Sequence, residues 1–293
     1  LKLGARLARP GEFTERAFLN GRLDLAQAEA VADLIDAGSQ AAARAATRAL
    51  SGEFSRKVDS VTEALIELRM YIESALDFPE EEIDFLADER LHEKSRQLLA
   101  EIDGLLASTN QGVLLREGMR VAIVGRPNAG KSSLLNRLAG EERAIVTDIP
   151  GTTRDVLHAE IQIDGLPVHV IDTAGLRESD DPVEQEGIRR AWVEIEQADA
   201  IILLVDDQKG ITDEDKATLE KLPPKPLIQL YNKIDLTGRS PGWIDREQRV
   251  LAISARWDLG LDQLRQTLKD LVGYQANESG QFIARRRHLD ALQ

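Results

Sequence analysis

Cysteine is missing from all 293 residues, so no disulfide, zinc thiolate or thiol nucleophile can be built within them. Aromatic residues make up 4% of the chain, so any core must rest on Leu, Ile, Val and Ala. That suits helices and parallel strands better than an aromatic-rich sandwich. Positive charge is also scarce. Lys and Arg number 37 against 51 Asp and Glu, a formal net charge of −14, which argues against a broad basic groove as the main surface. The Arg285–Arg287 triplet is a local basic spot of the kind that solvated helix faces carry. No apolar run approaches the roughly 18 residues of a membrane span, and no signal peptide opens the chain. The expectation is a soluble, cytoplasmic protein of about two domains with no membrane part. Its start at Leu1 rather than Met suggests a fragment.

What is present divides the chain at about residue 118. Leu1–Leu7 alternates weakly and reads as one strand without a partner, broken by Arg9-Pro10-Gly11. Asp24–Ala37 reads as a helix, with Asp24 as N-cap and Gln27 at the capping-box position. Ala28, Val31, Ala32 and Ile35 would form its apolar face. Gln40–Leu50 is an Ala-rich helix. Phe54–Leu76 is a longer one, with Val58, Val61, Leu65, Leu68, Ile72 and Leu76 on one face, and Leu91–Leu106 is a fourth. Pro79 ends the third helix, and Glu80–Glu82 reads as a solvated loop.

Beyond Met119 the pattern changes. Arg120–Val124, Ala159–Ile163, Val168–Asp172, Ile201–Asp206, Leu227–Tyr231 and Leu251–Ile253 are short apolar or alternating runs. Helical patterns at Ser132–Leu138, Val183–Gln197, Asp213–Lys221 and Leu261–Leu271 alternate with several of them. Near-continuous apolar strands alternating with helices predict an α/β domain, a mostly parallel sheet with helices on both faces. Asp164-Gly165 between two runs predicts a hairpin and one antiparallel edge. Val272–Gly280 reads as a linker, and Phe282–Leu292 restarts a helix.

The chemistry starts at Gly125–Ser133, GRPNAGKSS, directly after the run Met119–Val124. Gly125, Gly130, Lys131 and Ser132 occupy the fixed positions of G-x-x-x-x-G-K-[ST]. Glycine lets successive backbone N–H groups point into one concavity that holds a polyphosphate. Lys131 supplies a point charge for the β- and γ-phosphates and Ser132 a hydroxyl for Mg²⁺, while the following helix aims its N-terminus at the anion. Asn128, Ala129 and Ser133 complete the phosphate loop. An ordinary strand-to-helix turn is the competing reading, but the strand before and helix after are what the motif demands.

Three further motifs follow in order. Asp172-Thr173-Ala174-Gly175 ends a strand, where Asp172 would meet the metal through water and the Gly175 N–H the γ-phosphate. Asn232-Lys233-Ile234-Asp235 ends another. A carboxylate there accepts from the ring N–H and exocyclic amine of guanine and repels adenine, and Lys233 can lie along the base plane. Ser254-Ala255-Arg256 is a shorter motif whose backbone N–H groups would meet the guanine carbonyl. Between phosphate loop and hairpin, Gly151-Thr152-Thr153-Arg154-Asp155 lies where a second hydroxyl can complete the Mg²⁺ shell and sense the γ-phosphate. Thr153 is the candidate, a plain polar connection is the competing reading, and Thr147, Asp148, Ile149 and Pro150 just before it count with the nucleotide-binding residues. Leu176 follows the second motif where many GTPases carry a water-orienting glutamine. Another group must therefore act, with Arg177, Glu178, Asp180, Asp181 and Glu184 as the candidates. Asn128 either shapes the loop or offers its carbonyl beside the β–γ bridge. In the second role it would hold a monovalent cation with backbone oxygens of Thr147–Gly151.

These motifs, taken with Ala8–Ala37 (ARPGEFTERAFLNGRLDLAQAEAVADLIDA), with FPEEEIDF at Phe78–Phe85 and with LLREGM before the phosphate loop, resemble the bacterial tRNA-modification GTPases of the MnmE family, also called TrmE. The resemblance covers essentially the whole chain. It implies a P-loop GTPase (G) domain inserted in an all-α helical domain: residues 1–20 a remnant of a folate-binding domain, 21–117 helical, 118–273 the G domain, and 274–293 the start of the returning helical segment. It implies GTP hydrolysis helped by K⁺ and by pairing of two G domains in a homodimer, and work with the flavoprotein MnmG on the wobble uridine of tRNA. Residue by residue, it implies K⁺ ligands at Asn128, Thr147, Ile149 and Thr152, Mg²⁺ ligands at Ser132 and Thr153, and a water-orienting Glu184. Arg22 falls where the family contacts a folate derivative. The family's folate-binding domain is nearly absent and its C-terminal helices lie outside these residues, so folate is expected only in the intact protein. Two other functions are weighed: a nucleotide-gated scaffold that reports GTP state through the helical part, and a ribosome-assembly GTPase. The acidic balance counts against the last.

Overall fold

The computed structural model describes residues 6–77, 89–140, 157–172, 182–276 and 281–293. They fall into two compact units, one from Leu1–Arg116 with Asn277–Gln293, the other from Glu117–Ala276. Among the described residues no helix is long and apolar enough to cross a membrane.

The first unit is helical: α1 (Glu12–Leu19), α2 (Leu25–Ile35), α3 (Gln40–Leu50), α4 (Glu53–Asp77), α5 (Glu89–Glu117) and α10 (Arg286–Leu292). Asp24 caps α2 as its sequence predicts. Its carboxylate accepts from the Gln27 N–H at 2.7 Å and the Gln27 side chain accepts from the Asp24 N–H at 3.0 Å. The Gln27 amide also donates to the Leu50 carbonyl at 3.0 Å and so ties α2 to the end of α3. Helix α3 buries Ala42, Ala45, Ala46 and Ala49, small side chains that let backbone come close. Phe282, Ile283 and Ala284 run beside it, and the Ile283 N–H donates to the Ala45 carbonyl at 3.1 Å. On α5, a Cβ at Gly112 would stand 2.1 Å from the Phe282 carbonyl oxygen, so only glycine admits this segment.

Four expectations change here. Residues 282–285 are not helical. Burial of Phe282, Ile283 and Ala284 and the bond to Ala45 hold them outside α10, which starts at Arg286. The buried residues of α2 are Ala30 and Asp33, while Ile35 is 78% exposed. The reason is electrostatic: Asp33 accepts from Arg116 at 2.9 Å and Arg285 at 3.2 Å, and Glu29 pairs with Arg285 and Arg287. Helix α5 runs well past Leu106, to Glu117. Helix α1 has no counterpart in the sequence reading, since Phe13 and Leu19 stay exposed and give it no apolar face toward a core. The strand expected at Leu1–Leu7 lies mostly outside the described residues, as do Pro79 and Glu80–Glu82.

The second unit is the α/β domain the sequence predicts. Its strands are β1 (Met119–Val124), β2 (Leu157–Ile163), β3 (Leu166–Asp172), β4 (Ala200–Asp206), β5 (Leu227–Asn232), β6 (Gly242–Asp245) and β7 (Val250–Ala252). They form one sheet in the order β2-β3-β1-β4-β5-β7-β6. The pairs β1–β3, β1–β4, β4–β5 and β5–β7 are parallel; β2–β3 and β6–β7 are antiparallel. The β2–β3 turn is Asp164-Gly165, both at positive φ, with Ile163 opposite Leu166. Among the described residues four helices cover the sheet: α6 (Lys131–Ala139), α7 (Pro182–Gln197), α8 (Asp213–Lys221) and α9 (Leu261–Val272).

Near-continuous apolar strands mean burial on both faces. Ala122 and Val124 of β1 and Ile201, Leu203 and Val205 of β4 pack with Ile195 and Ala198 at the end of α7. The alternate residues Val121, Ile123, Ile202 and Leu204 point to the other face and are buried too. Each fully buried Ile or Leu contributes about 1.5–3 kcal/mol. Tyr274, expected in a linker, is buried, and its hydroxyl donates to the Asp164 carbonyl at 3.1 Å.

Candidate nucleotide-binding site

Because β1 has β3 on one side and β4 on the other, the chain leaves the sheet in opposite directions at its centre. The crevice beyond the carboxyl ends of such strands is where open α/β sheets bind ligands. The sequence motifs lie there: residues 125–130 after β1, Asp172 at the end of β3, Asn232 at the end of β5 and Ser254 just after β7. Asp172 is paired in register with Ile123.

The loop from Gly125 to Gly130 turns sharply. Asn128 is left-handed at φ 64° and exposed, Ala129 is buried, and Gly130 at φ 104° caps α6. A Cβ on Gly130 would stand 2.3 Å from Nδ2 of Asn232, so glycine is required for this approach as well as for the φ. Lys131, the first residue of α6, folds its ammonium back over the loop, donating to the Gly125 carbonyl at 2.8 Å and the Arg126 carbonyl at 3.4 Å. Ser132 and Ser133 follow in the first turn, both exposed.

Asn232 is 2% exposed and joins three loops. Its Nδ2 donates to the Ala129 carbonyl at 2.9 Å, and its Oδ1 accepts from the Ala255 N–H at 3.0 Å. Asp235, exposed in the turn Ile234–Leu236, accepts from the Ser254 hydroxyl at 2.7 Å. Lys233 adopts φ 69°, and its ammonium meets Asp206 at 2.7 Å. Thus Asn232, Lys233, Ile234, Asp235, Ser254, Ala255 and Arg256 share one edge with Asn128, Ala129, Gly130, Lys131, Ser132 and Ser133. Thr147–Thr153 and Thr173, Ala174 and Gly175 lie outside the described residues, as do Leu176, Arg177, Glu178, Asp180 and Asp181. Glu184 is in the first turn of α7, with its side chain outside the description. Arg22 lies exposed between α1 and α2 in the helical unit.

Several supports of this edge went unread in the sequence. Asp206 ends β4 and Asp207 follows it, beside the Asn232–Asp235 turn. Burial pushes the Asp206 carboxyl up, but the hydrogen bond from Lys233, the Gln208 N–H and the nearby lysine charges outweigh it and hold the group below its ordinary value. Asp207 accepts from Thr237 and pairs with Arg239 at 2.8 Å. From the phosphate loop, Arg126 reaches Glu214 at 3.1 Å and the Thr212 hydroxyl at 3.3 Å. The signal for the first pair was available: two carboxylates closing an apolar strand on the same edge as Asn232.

A family model described as the MnmE helical domain matches residues 25–293. Among curated proteins, the tRNA modification GTPase MnmE of Hydrogenovibrio crunogenus is 57% identical over 295 residues, covering 100% of this chain and 65% of that relative. The protein of the same name from Chromobacterium violaceum is 54% identical over 294 residues, again covering 100% and 65%. The chain thus spans 65% of the length of these relatives. Among solved structures, Aquifex aeolicus Era bound to GDP·AlF4⁻ is 28% identical, covering 53% of this chain and 56% of that one, with a TM-score of 0.41. The G domain of the T. maritima FeoB iron transporter is 27% identical, covering 52% and 98%, with a TM-score of 0.40.

Proposed function

We propose that this chain, which belongs to the MnmE family, binds GTP and GDP at the carboxyl edge of its sheet and hydrolyses GTP there, in the cytoplasm, as part of tRNA wobble-uridine modification. The observation that carries the reading is Asn232. One buried side chain ties the phosphate loop to the loop that follows β7, so a site for polyphosphate and a site for guanine form one groove. Residues 118–273 are then the body of the G domain, whose compact unit runs Glu117–Ala276 and takes in Tyr274, while 21–116 and 277–293 belong to the helical domain and 1–20 end a folate-binding domain. Arg22 would touch a folate derivative in the intact protein.

The residues of the edge divide the work. Backbone N–H groups of 128–133 and Lys131 hold the phosphates. Asp235 accepts from the guanine ring N–H and exocyclic amine, Lys233 lies along the base, and the 254–256 loop meets the carbonyl. In hydrolysis, water oxygen bonds the γ-phosphorus and GDP leaves with the bridging oxygen. Glu184 accepts a hydrogen bond from that water and aligns it. The residue types suit hard cations: the Ser132 hydroxyl on the first turn of α6, Asp172 at the end of the strand beside β1, its side chain outside the described residues, and the Asn128 carbonyl on the exposed rim of the loop. Ser132 and Thr153 would hold Mg²⁺, with Asp172 behind water, and Asn128, Thr147, Ile149 and Thr152 would hold K⁺. Both ions, when bound, would supply positive charge where negative charge develops between the β- and γ-phosphates.

The family further suggests that two G domains pair in a homodimer and that MnmG and tRNA are partners of the intact protein. GTP turnover in matched KCl and NaCl over a protein concentration series tests the cation and the pairing together. Faster hydrolysis in KCl, rising more than linearly with concentration, is expected. Equal, slow rates in both salts would remove K⁺ and pairing from the account of this chain.

A further inference from the structure

The loop that follows β7 is held from two sides. On one side the Ser254 hydroxyl donates to Asp235 at 2.7 Å and the Ala255 N–H donates to Asn232 at 3.0 Å. On the other side Arg137, in the last turn of α6, donates from Nε to the Ala255 carbonyl at 3.3 Å and from Nη2 to the Arg256 carbonyl at 2.7 Å. A cavity of about 340 Å³, lined by Ser133, Asn136, Arg137, Gly140, Ala255 and Arg256, lies between helix and loop, and the guanidinium reaches across it.

A trans peptide is planar, with its carbonyl and the next N–H pointing to opposite sides. Holding the Ala255 carbonyl therefore turns the Arg256 N–H away from α6, and holding the Arg256 carbonyl does the same for the Trp257 N–H, which donates to Ser254. Two donors on a rigid, planar guanidinium set two consecutive peptide planes in a fixed geometry, where a lysine ammonium on its flexible stem would hold them less firmly.

We propose that Arg137 is a positioning residue for guanine recognition: from the helix that holds the phosphates, it grips the Ala255 and Arg256 carbonyls and so aims the Arg256 N–H at the purine carbonyl, the Ser254 and Ala255 N–H groups being engaged by the Leu259 carbonyl and by Asn232. The proposal rests on the GTPase reading above. Arg137 touches no part of the nucleotide in this account. It couples the two ends of the groove, because α6 is fixed at its N-terminus by the phosphates and at its last turn by the base loop.

The test titrates the full chain, its Arg137→Met variant and its Arg137→Lys variant with GDP, 6-thio-GDP and ADP, and records a thermal melt of each. 6-Thio-GDP keeps the ring N–H and exocyclic amine and replaces the carbonyl oxygen with sulfur, a weaker acceptor. Arg137→Met should weaken GDP about tenfold, as loss of a charge-assisted hydrogen bond does, and weaken 6-thio-GDP distinctly less. The lysine variant should fall between. Equal losses for both guanine ligands, or no loss for GDP, would overturn the proposal and leave the GTPase reading standing. A wild-type chain that binds ADP as well as GDP would overturn both.

Discussion

The side-chain amide of Asn232 donates 2.9 Å to the Ala129 carbonyl while its oxygen accepts from Ala255 at 3.0 Å, so one buried residue fixes the distance between phosphate loop and base loop. Asn232→Ala strands a buried acceptor and a buried donor together. It should destabilise the second unit by about 2–4 kcal/mol and weaken GDP by about 100-fold or more. Chemical unfolding and GDP titration of the same preparation check both; an unchanged GDP affinity would contradict the bridging role.

Asp206 gives the site a pH dependence with a defined sign. Its folded carboxyl is held below the ordinary value of 3.8, so its pairing with Lys233 stabilises the fold above that pH. The contribution disappears as pH falls below 3.8 through the folded value. Asp206→Asn should flatten the stability profile in that acid window and cost about 1 kcal/mol at neutral pH. Denaturation curves from pH 2.5 to 7 measure it.

Glu184 is expected to separate turnover from binding. Replacing it with Ala should lower the GTP hydrolysis rate about 100-fold, the usual worth of a group that positions or deprotonates the nucleophile, with GDP affinity nearly unchanged. Equal turnover in the two proteins would remove Glu184 from the mechanism.

The helical unit has its own test at Asp33, which is 7% exposed between Arg116 and Arg285. Asp33→Ala leaves two half-buried guanidinium groups without their shared carboxylate. A loss of about 1–3 kcal/mol is expected, since both arginines keep some water. Differential scanning calorimetry should show it without a change in GDP affinity.

The sequence made local features legible and long-range ones opaque. The P-loop, the Asp164-Gly165 hairpin and the Asn232–Asp235 turn are each written in a few adjacent residues whose backbone needs are distinctive. The run Ile201–Asp206 betrays a central strand by being apolar on both faces, and the strand observed there is Ala200–Asp206. Strand β6 escaped notice because Trp243 and Ile244 form a short edge after Pro241 with neither alternation nor length. The buried side of α2 was misjudged because Asp33 is held by Arg116 and Arg285 from distant segments, a pairing that periodicity cannot register. Arg137 is illegible for the same reason, since it acts on a loop far away in the chain, whereas Asp206 carries a local signal as a carboxylate closing an apolar strand.

This groove is expected to take guanine nucleotide and cleave it. Phosphate release from GTP and from ATP by the wild-type chain and by Lys131→Ala, measured side by side with Mg²⁺ and K⁺ present, tests it most directly. Release from GTP is expected, none above background from ATP, and loss of the GTP activity in the variant, whose phosphate loop lacks the ammonium that Gly125 and Arg126 now hold. Equal release from both nucleotides, or GTP cleavage that survives the loss of Lys131, would contradict it.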